Sequence, residues 1–284
     1  MSESSRRGFL RDIAAAAARR IPELPRTEPD PMPNPPLLSE AEMERYSRQL
    51  VLPEWSELAQ IALRDASVLV IGAGALGSPV ALYLAGAGVG RLGVVDSDVV
   101  ELSNLHRQPL HFTPDLGEGK AESAAAKLRF LNPEVLVETY PVRLDESNAD
   151  GLVAGQDLVI DCSDSFETRY AVNAACCDAG VDLIEGGVVG WSGLVMTVRP
   201  WRSACYRCAF PEPPADAPSC AEAGVVGPAA GVIGSLQALE ALKLLTGTAA
   251  PLTDAFLSVD LITLETLRVH VARREDCPDC GMGG

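Results

Sequence analysis

Positive charge is what this sequence is short of. Lys and Arg number 23 against 39 Asp and Glu, a net of −16, and a surface that acidic repels phosphate backbones. Nucleic-acid binding is therefore excluded as the main function. Long apolar runs are missing too. No stretch of about 18 apolar residues exists, so no segment is expected to span a membrane. Histidine occurs only three times, and His106 and His111 read as loop residues without a catalytic role. No internal repeat is visible. What remains is ordinary globular material, with 47% hydrophobic and 22% charged residues among 284. A chain of that length buries roughly 75% of its unfolded surface, enough to fold without a staple.

The N-terminus stands apart. Ser5-Arg6-Arg7-Gly8-Phe9-Leu10 resembles a twin-arginine export signal. The apolar stretch behind it, Ile13 to Ala18, is short and closes on Arg19-Arg20 without a small-residue cleavage site. An Ala-rich, Arg-flanked amphipathic helix fits better. Residues 21–37 are Pro-rich and read as an extended linker. Residues 1–38 are thus an extension and linker, and 39–284 the folded domain.

Ser39-Glu40-Ala41-Glu42 is a capping box opening a short helix that carries Arg45, Tyr46, Arg48 and Gln49. Ser67 to Ile71 is a continuous apolar run of strand length, as in a parallel sheet buried on both faces. Further strands are expected at 92–96, 135–140, 157–161, 182–185 and 194–198. Helices are expected from Gly77 through Ala87, at 120–130 and at 166–179. Strands alternating with helices predict an α/β fold with a Rossmann-like doubly wound, mostly parallel sheet. A long helix at about 228–246 and two antiparallel strands near 255–271 complete it.

The chemistry starts at Gly72-Ala73-Gly74-Ala75-Leu76-Gly77. Gly72 allows the tight strand-to-helix turn, Gly74 a close phosphate, and Gly77 close packing of helix and strand. Asp96 follows about 20 residues on, at a strand end, where it can accept from ribose hydroxyls. Alone, this motif favours an NAD-dependent dehydrogenase. The next loop points elsewhere. Asp98, Ser103-Asn104-Leu105, Arg107-Gln108 and Lys120 follow the second strand, and Arg48 precedes the first. Two arginines and a lysine beside an acid suit a triphosphate with Mg²⁺, whose charge must be neutralised as pyrophosphate leaves.

Eight cysteines are present. Cys205-Tyr-Arg-Cys208 and Cys277-Pro-Asp-Cys280 are two C-x-x-C pairs, the ligand set of a closed, structural four-thiolate zinc site. A disulfide reading fits poorly with an ATP-dependent enzyme of the reducing cytoplasm. Cys162, Cys176 and Cys177 fall in a buried strand and a helix and read as small core residues. Cys220 follows the Pro-rich stretch from Pro211 to Pro218, where an exposed thiol can act as a nucleophile.

Taken in order, these motifs resemble the ThiF/MoeB/HesA superfamily, relatives of the ubiquitin-activating enzymes. They are Arg45-Tyr46-x-Arg48-Gln49, the glycine loop, Asp96-x-Asp98, Ser103-Asn104-Leu105-x-Arg107-Gln108, Gly119-Lys120 and Asp161-Cys162-Ser163-Asp164. Cys220-Ala-Glu-Ala-Gly224 and Gly231-Val-Ile-Gly234-Ser-Leu-Gln237 continue the series, and the likeness covers about residues 40–281. Within the superfamily it is strongest to the molybdopterin-synthase adenylyltransferases.

The resemblance implies ATP-dependent adenylation of the C-terminal Gly-Gly of a small ubiquitin-like sulfur-carrier protein, of the molybdopterin-synthase, thiamine-pathway or another type. It implies that Asn104, Arg107 and Lys120 bind the triphosphate, with Asp98 and Gln108 beside them. Asp164 would hold Mg²⁺, and Arg48 would reach the partner's site in a homodimer. No general base is implied, because the carrier's carboxylate is already nucleophilic. The paired cysteines support zinc, and a cysteine at 220 is matched whether or not it acts covalently. The rhodanese domain of some relatives does not follow Cys280, so a separate sulfur donor is expected. A degenerate, non-catalytic carrier-binding module would lack Arg107, Lys120 or Asp164, and all three are present.

Overall fold

Ser67–Ile71 form strand β1, buried at every position. Val68 and Val70 enter the apolar cluster on one face of the sheet, Leu69 and Ile71 the cluster on the other. Two covered faces leave no polar side to alternate with, hence the unbroken apolar run. The structure, a computed structural model, describes residues 37–213 and 224–281. The N-terminal helix and most of the linker expected before residue 38, and Cys220, lie outside the described residues.

The strands are β1, β2 (Arg91–Val95), β3 (Leu136–Tyr140), β4 (Leu158–Asp161), β5 (Asp182–Val189), β6 (Ser192–Val198), β7 (Ala255–Asp260) and β8 (Glu265–His270). They build one sheet in the order β3-β2-β1-β4-β5-β6-β7-β8. Pairing is parallel from β3 to β5 and antiparallel from β5 to β8. The doubly wound sheet with antiparallel C-terminal strands is therefore as expected, with one difference. β5 runs on to Val189 and turns at Gly190 directly into β6. Gly186-Gly187 hid that hairpin from the sequence: a side chain at 186 would strike Gln237, so glycine stands where a strand former would be expected.

The helices are α1 (Glu40–Arg45), α2 (Ser47–Leu50), α3 (Glu57–Asp65), α4 (Gly77–Ala87), α5 (Lys120–Leu131), α6 (Ala149–Val153), α7 (Phe166–Ala179), α8 (Tyr206–Ala209) and α9 (Gly227–Thr246). The capping box is formed: Glu42 N–H donates to Ser39 Oγ, and Ser39 N–H to the Glu42 carboxylate. α3 was not expected; Ser56 caps it, and it packs on α9. By length and composition α9 could cross a membrane. Here Ala229, Ala230, Ile233, Ala238 and Ala241 are buried against α4 and strands β4 to β6. Among the described residues no other helix is long and apolar enough for that.

Candidate active site

The chain leaves β1 for β2 on one side of the sheet and reaches β4 on the other, so β1 and β4 flank the point where the winding reverses. The two strands stay paired to their ends, but the chain leaves them for opposite faces of the sheet, into α4 and α7, and a cleft opens there, the usual ligand position in such sheets. The cleft measures about 380 Å³ and is lined by the glycine loop, Asp96 to Asp98, Arg107, Gln108, Lys120, the 142–144 loop and the turn from Cys162 to Ser165.

Each glycine of the loop has its own reason. Gly72 has φ +90°, a left-handed conformation that side chains resist. A Cβ on Gly77 would lie 1.8 Å from the Gly72 carbonyl oxygen, so the first turn of α4 closes directly on the loop. A Cβ on Gly74 would meet only Gln108 Nε2, at 3.6 Å. That glycine faces the cleft, where a side chain would take a ligand's space. Asp96 also ties the loop down, its carboxylate accepting from Ala73 N–H at 2.8 Å and Asp98 N–H at 2.9 Å. Burial holds its carboxyl above the usual carboxylate range, against the pull of those two bonds. His111 has a part that the sequence did not suggest. Buried, it lies 2.9 Å from the Ala73 carbonyl and 2.8 Å from Ser123 Oγ, bracing the loop from behind. Burial lowers its pKa.

Lys120 opens α5 and is itself buried, with Nζ donating to Asp98 Oδ2 at 2.8 Å. Arg107 Nη1 donates to the Ser103 carbonyl at 2.6 Å. Gln108 is buried beside them, and its Oε1 has no hydrogen-bond partner. Two of the three cations sought in the sequence, Arg107 and Lys120, thus converge on the cleft, as do Gly72, Gly74, Asp96, Asp98, Gln108 and Asp164. Three expected residues stand apart from its lining. Gly77 sits behind the loop, Asn104 is buried with Oδ1 accepting from Glu101 N–H, and Arg48 is exposed on α2.

Behind the opposite wall lies what the sequence concealed. Asp161, the last residue of β4, and Glu185, midway along β5, are register partners, both fully buried. Asp161 Oδ2 and Glu185 Oε1 have no hydrogen-bond partner. Arg169 of α7 lies against them, its Nη1 3.2 Å from Glu185 Oε2. Burial pushes the Glu185 carboxyl well up, and the neighbouring Asp161 adds to it; burial likewise raises Asp161, with Arg169 opposing in both cases. Each acid closes an apolar run in the sequence. That signal was available, but nothing local linked the two.

The second centre is the cysteine set. Cys205, Cys208, Cys277 and Cys280 are all buried, with their sulfurs within 4.8 Å of one another. Measured pairs are 3.8 Å, 3.6 Å and 3.4 Å. Sulfurs about 2.3 Å from a tetrahedral zinc stand about 3.8 Å apart, so this set fits the ion. Cys177 of α7 touches Cys205, and that contact, together with burial, raises the Cys205 thiol. One turn nearer the cleft, Asn173 accepts from Tyr206 N–H at 2.8 Å and donates to Asp279 at 2.6 Å. Asp279 also pairs with Arg207. Cys162 and Cys176 are buried too, as expected for core thiols, and burial raises both.

A model of the ThiF family matches residues 46–280. The chain is 48% identical over 247 residues to the sulfur carrier protein adenylyltransferase of Thermus thermophilus, covering 84% of this chain and 91% of that protein. It is 46% identical over 272 residues to the mouse adenylyltransferase and sulfurtransferase MOCS3, covering 94% of this chain and 59% of that one. A 94% share is more than residues 39–284 could supply, so this likeness reaches into the N-terminal extension, which the motifs had left outside. Among solved structures, Escherichia coli MccB with MccA-N7isoASN shares the fold, with a TM-score of 0.77 at 24% identity over 84% of this chain and 74% of that one.

Proposed function

The chain belongs to the ThiF family, and from that premise we propose that it adenylates the C-terminal Gly-Gly carboxylate of a small ubiquitin-like sulfur carrier. It is an adenylyltransferase that uses ATP, and relatives similar over most of its length carry that activity in their names. The observation that carries the reading is the convergence of Lys120, Arg107, Asp96 and Asp164 on the one cleft that the glycine loop lines.

In the proposed reaction a carboxylate oxygen of the carrier attacks the α-phosphorus. The new O–P bond forms as the bond to pyrophosphate breaks, and the pyrophosphate leaves with the electron pair. No proton moves, so no base is required. What the protein supplies is position and positive charge. Asp96 would hold the ribose and the glycine loop the phosphate region. Lys120, Arg107 and Asn104 would bind the triphosphate, with Asn104 reaching it only through a shift of its turn. Asp164, exposed at the cleft, would hold Mg²⁺, which neutralises phosphate charge when bound. Arg48, which does not line its own cleft, would complete that of a second copy in a homodimer. Cys205, Cys208, Cys277 and Cys280 would hold a structural zinc.

The carrier we favour is of the molybdopterin-synthase small-subunit type, with Cys220 as the candidate thiol for any covalent step. A reducing cytoplasm suits the reading, and the seven described cysteines are all unbridged. The test is ATP–pyrophosphate exchange with Mg²⁺ and a panel of carriers ending in Gly-Gly. Exchange dependent on one carrier is expected and names the pathway. ATP binding that is absent altogether would overturn the assignment.

A further inference from the structure

Asp164 is placed by its neighbours. On one side, Ser163 has both backbone polar groups held: its N–H donates to Asp161 Oδ1 at 2.7 Å, and its carbonyl accepts from Arg169 Nη2 at 2.6 Å. On the other side, Ser165 caps α7, its Oγ accepting from Thr168 N–H at 3.1 Å and donating to Thr168 Oγ1 at 3.0 Å. An exposed acid thus sits between two fixed residues. Arg169 is the charged centre of that grip, 8% exposed, with one nitrogen on Glu185 and the other on the turn. Only a planar guanidinium spans two acceptors in this way; a lysine ammonium reaches one point.

We infer that Arg169 is a positioning residue of the adenylation site: anchored on buried Glu185, it holds the Ser163 carbonyl and thereby aims Asp164 into the cleft. The inference rests on the proposed magnesium-holding part of Asp164. It separates Arg169 from the cations that meet the phosphates. Arg169 shares the cleft lining with them, but two of its guanidinium nitrogens are engaged inside the protein.

A double-mutant cycle on the full-length protein tests it, read by calorimetric Mg·ATP binding and needing no carrier. Arg169→Lys is expected to weaken Mg·ATP binding by about tenfold, and by less than about twofold when Asp164→Asn is already present, because the two act in series. A penalty that stays undiminished in the Asp164→Asn background would mean Arg169 acts on the nucleotide directly or on the fold generally, and would overturn the inference alone. An Asp164→Asn protein that binds Mg·ATP like wild type would remove the premise and overturn both. Should Arg169→Lys not fold by its melting curve, Glu185→Gln takes its place. It keeps the shape and one acceptor oxygen while replacing the carboxyl group that anchors Arg169, and the same non-additivity is expected. Wild type that binds Mg·ATP but exchanges no pyrophosphate would count against the carrier reading and leave the cycle decisive for Arg169.

Discussion

The cleft and the cysteine centre sit on one sheet and are built on opposite terms. At the cysteine centre four ligands of one kind face each other in a closed, buried shell, and its surroundings (Asn173, Arg207, Asp279) are paired. At the cleft, acids and cations line an open cavity. Four buried side-chain atoms in or beneath it, on Gln108, Asp161, Ser163 and Glu185, have no partner. Buried polar atoms without partners are costly, and a site that exchanges its ligand is where a fold tolerates them. A shell with every position filled suits an ion that stays; a cavity with unmet polar groups suits a ligand that comes and goes.

Three perturbations should separate the two regions. Lys120→Ala should have the largest effect on chemistry, lowering pyrophosphate exchange by about 10²- to 10³-fold, the usual cost of losing one group that meets developing charge. Its melting temperature should move by only a few degrees, because the partner Asp98 is largely exposed and rehydrates. Exchange at the wild-type rate would sink the phosphate assignment.

Cys205→Ser should show the reverse pattern. Elemental analysis should find the zinc gone, and the melting temperature should fall by about 10 °C, as loss of a structural metal implies for a domain of this size. Unchanged metal content would refute the four-thiolate site.

The third effect is the smallest and concerns pH. Burial raises Asp161 above the ordinary carboxylate range, so the fold favours its neutral form. That contribution to stability is complete below the unfolded carboxylate pKa and is lost as pH rises through the raised folded value. Asp161→Asn is neutral throughout and also relieves Glu185. Its melting temperature relative to wild type should therefore climb between about pH 4 and pH 8. A flat or falling difference would show that the two acids are compensated in the fold.

Sequence pattern reached the cysteine centre almost completely, because two C-x-x-C pairs state their geometry in their spacing. It also reached the floor of the cleft. Gly72 and Gly74 lie two residues apart in the chain, with Gly77 closing the loop from behind, and Asp96 ends the next apolar run. The grip on Asp164 was out of reach for a physical reason: Glu185, Arg169 and Ser163 come from a strand, a helix and a turn, and only the register of β4 on β5 brings the acids together. His111 was out of reach too, because a lone histidine in a loop carries no local sign of what it will touch. The β5–β6 hairpin was half seen, since glycines required by α9 interrupt its apolar pattern. α3 is short and capped by a serine that nothing distinguished from a loop serine.

One consequence belongs to α7. Arg169 and Asn173 lie four residues apart, the first gripping the cleft turn and the second gripping the cysteine segment. A helix is a screw, so the two grips are in phase only at that spacing. One residue inserted between them would rotate everything beyond by about 100° and set the cleft and the cysteine segment at cross purposes. Its middle turn behaves as a gear tooth that meshes with the cleft and the cysteine segment at once.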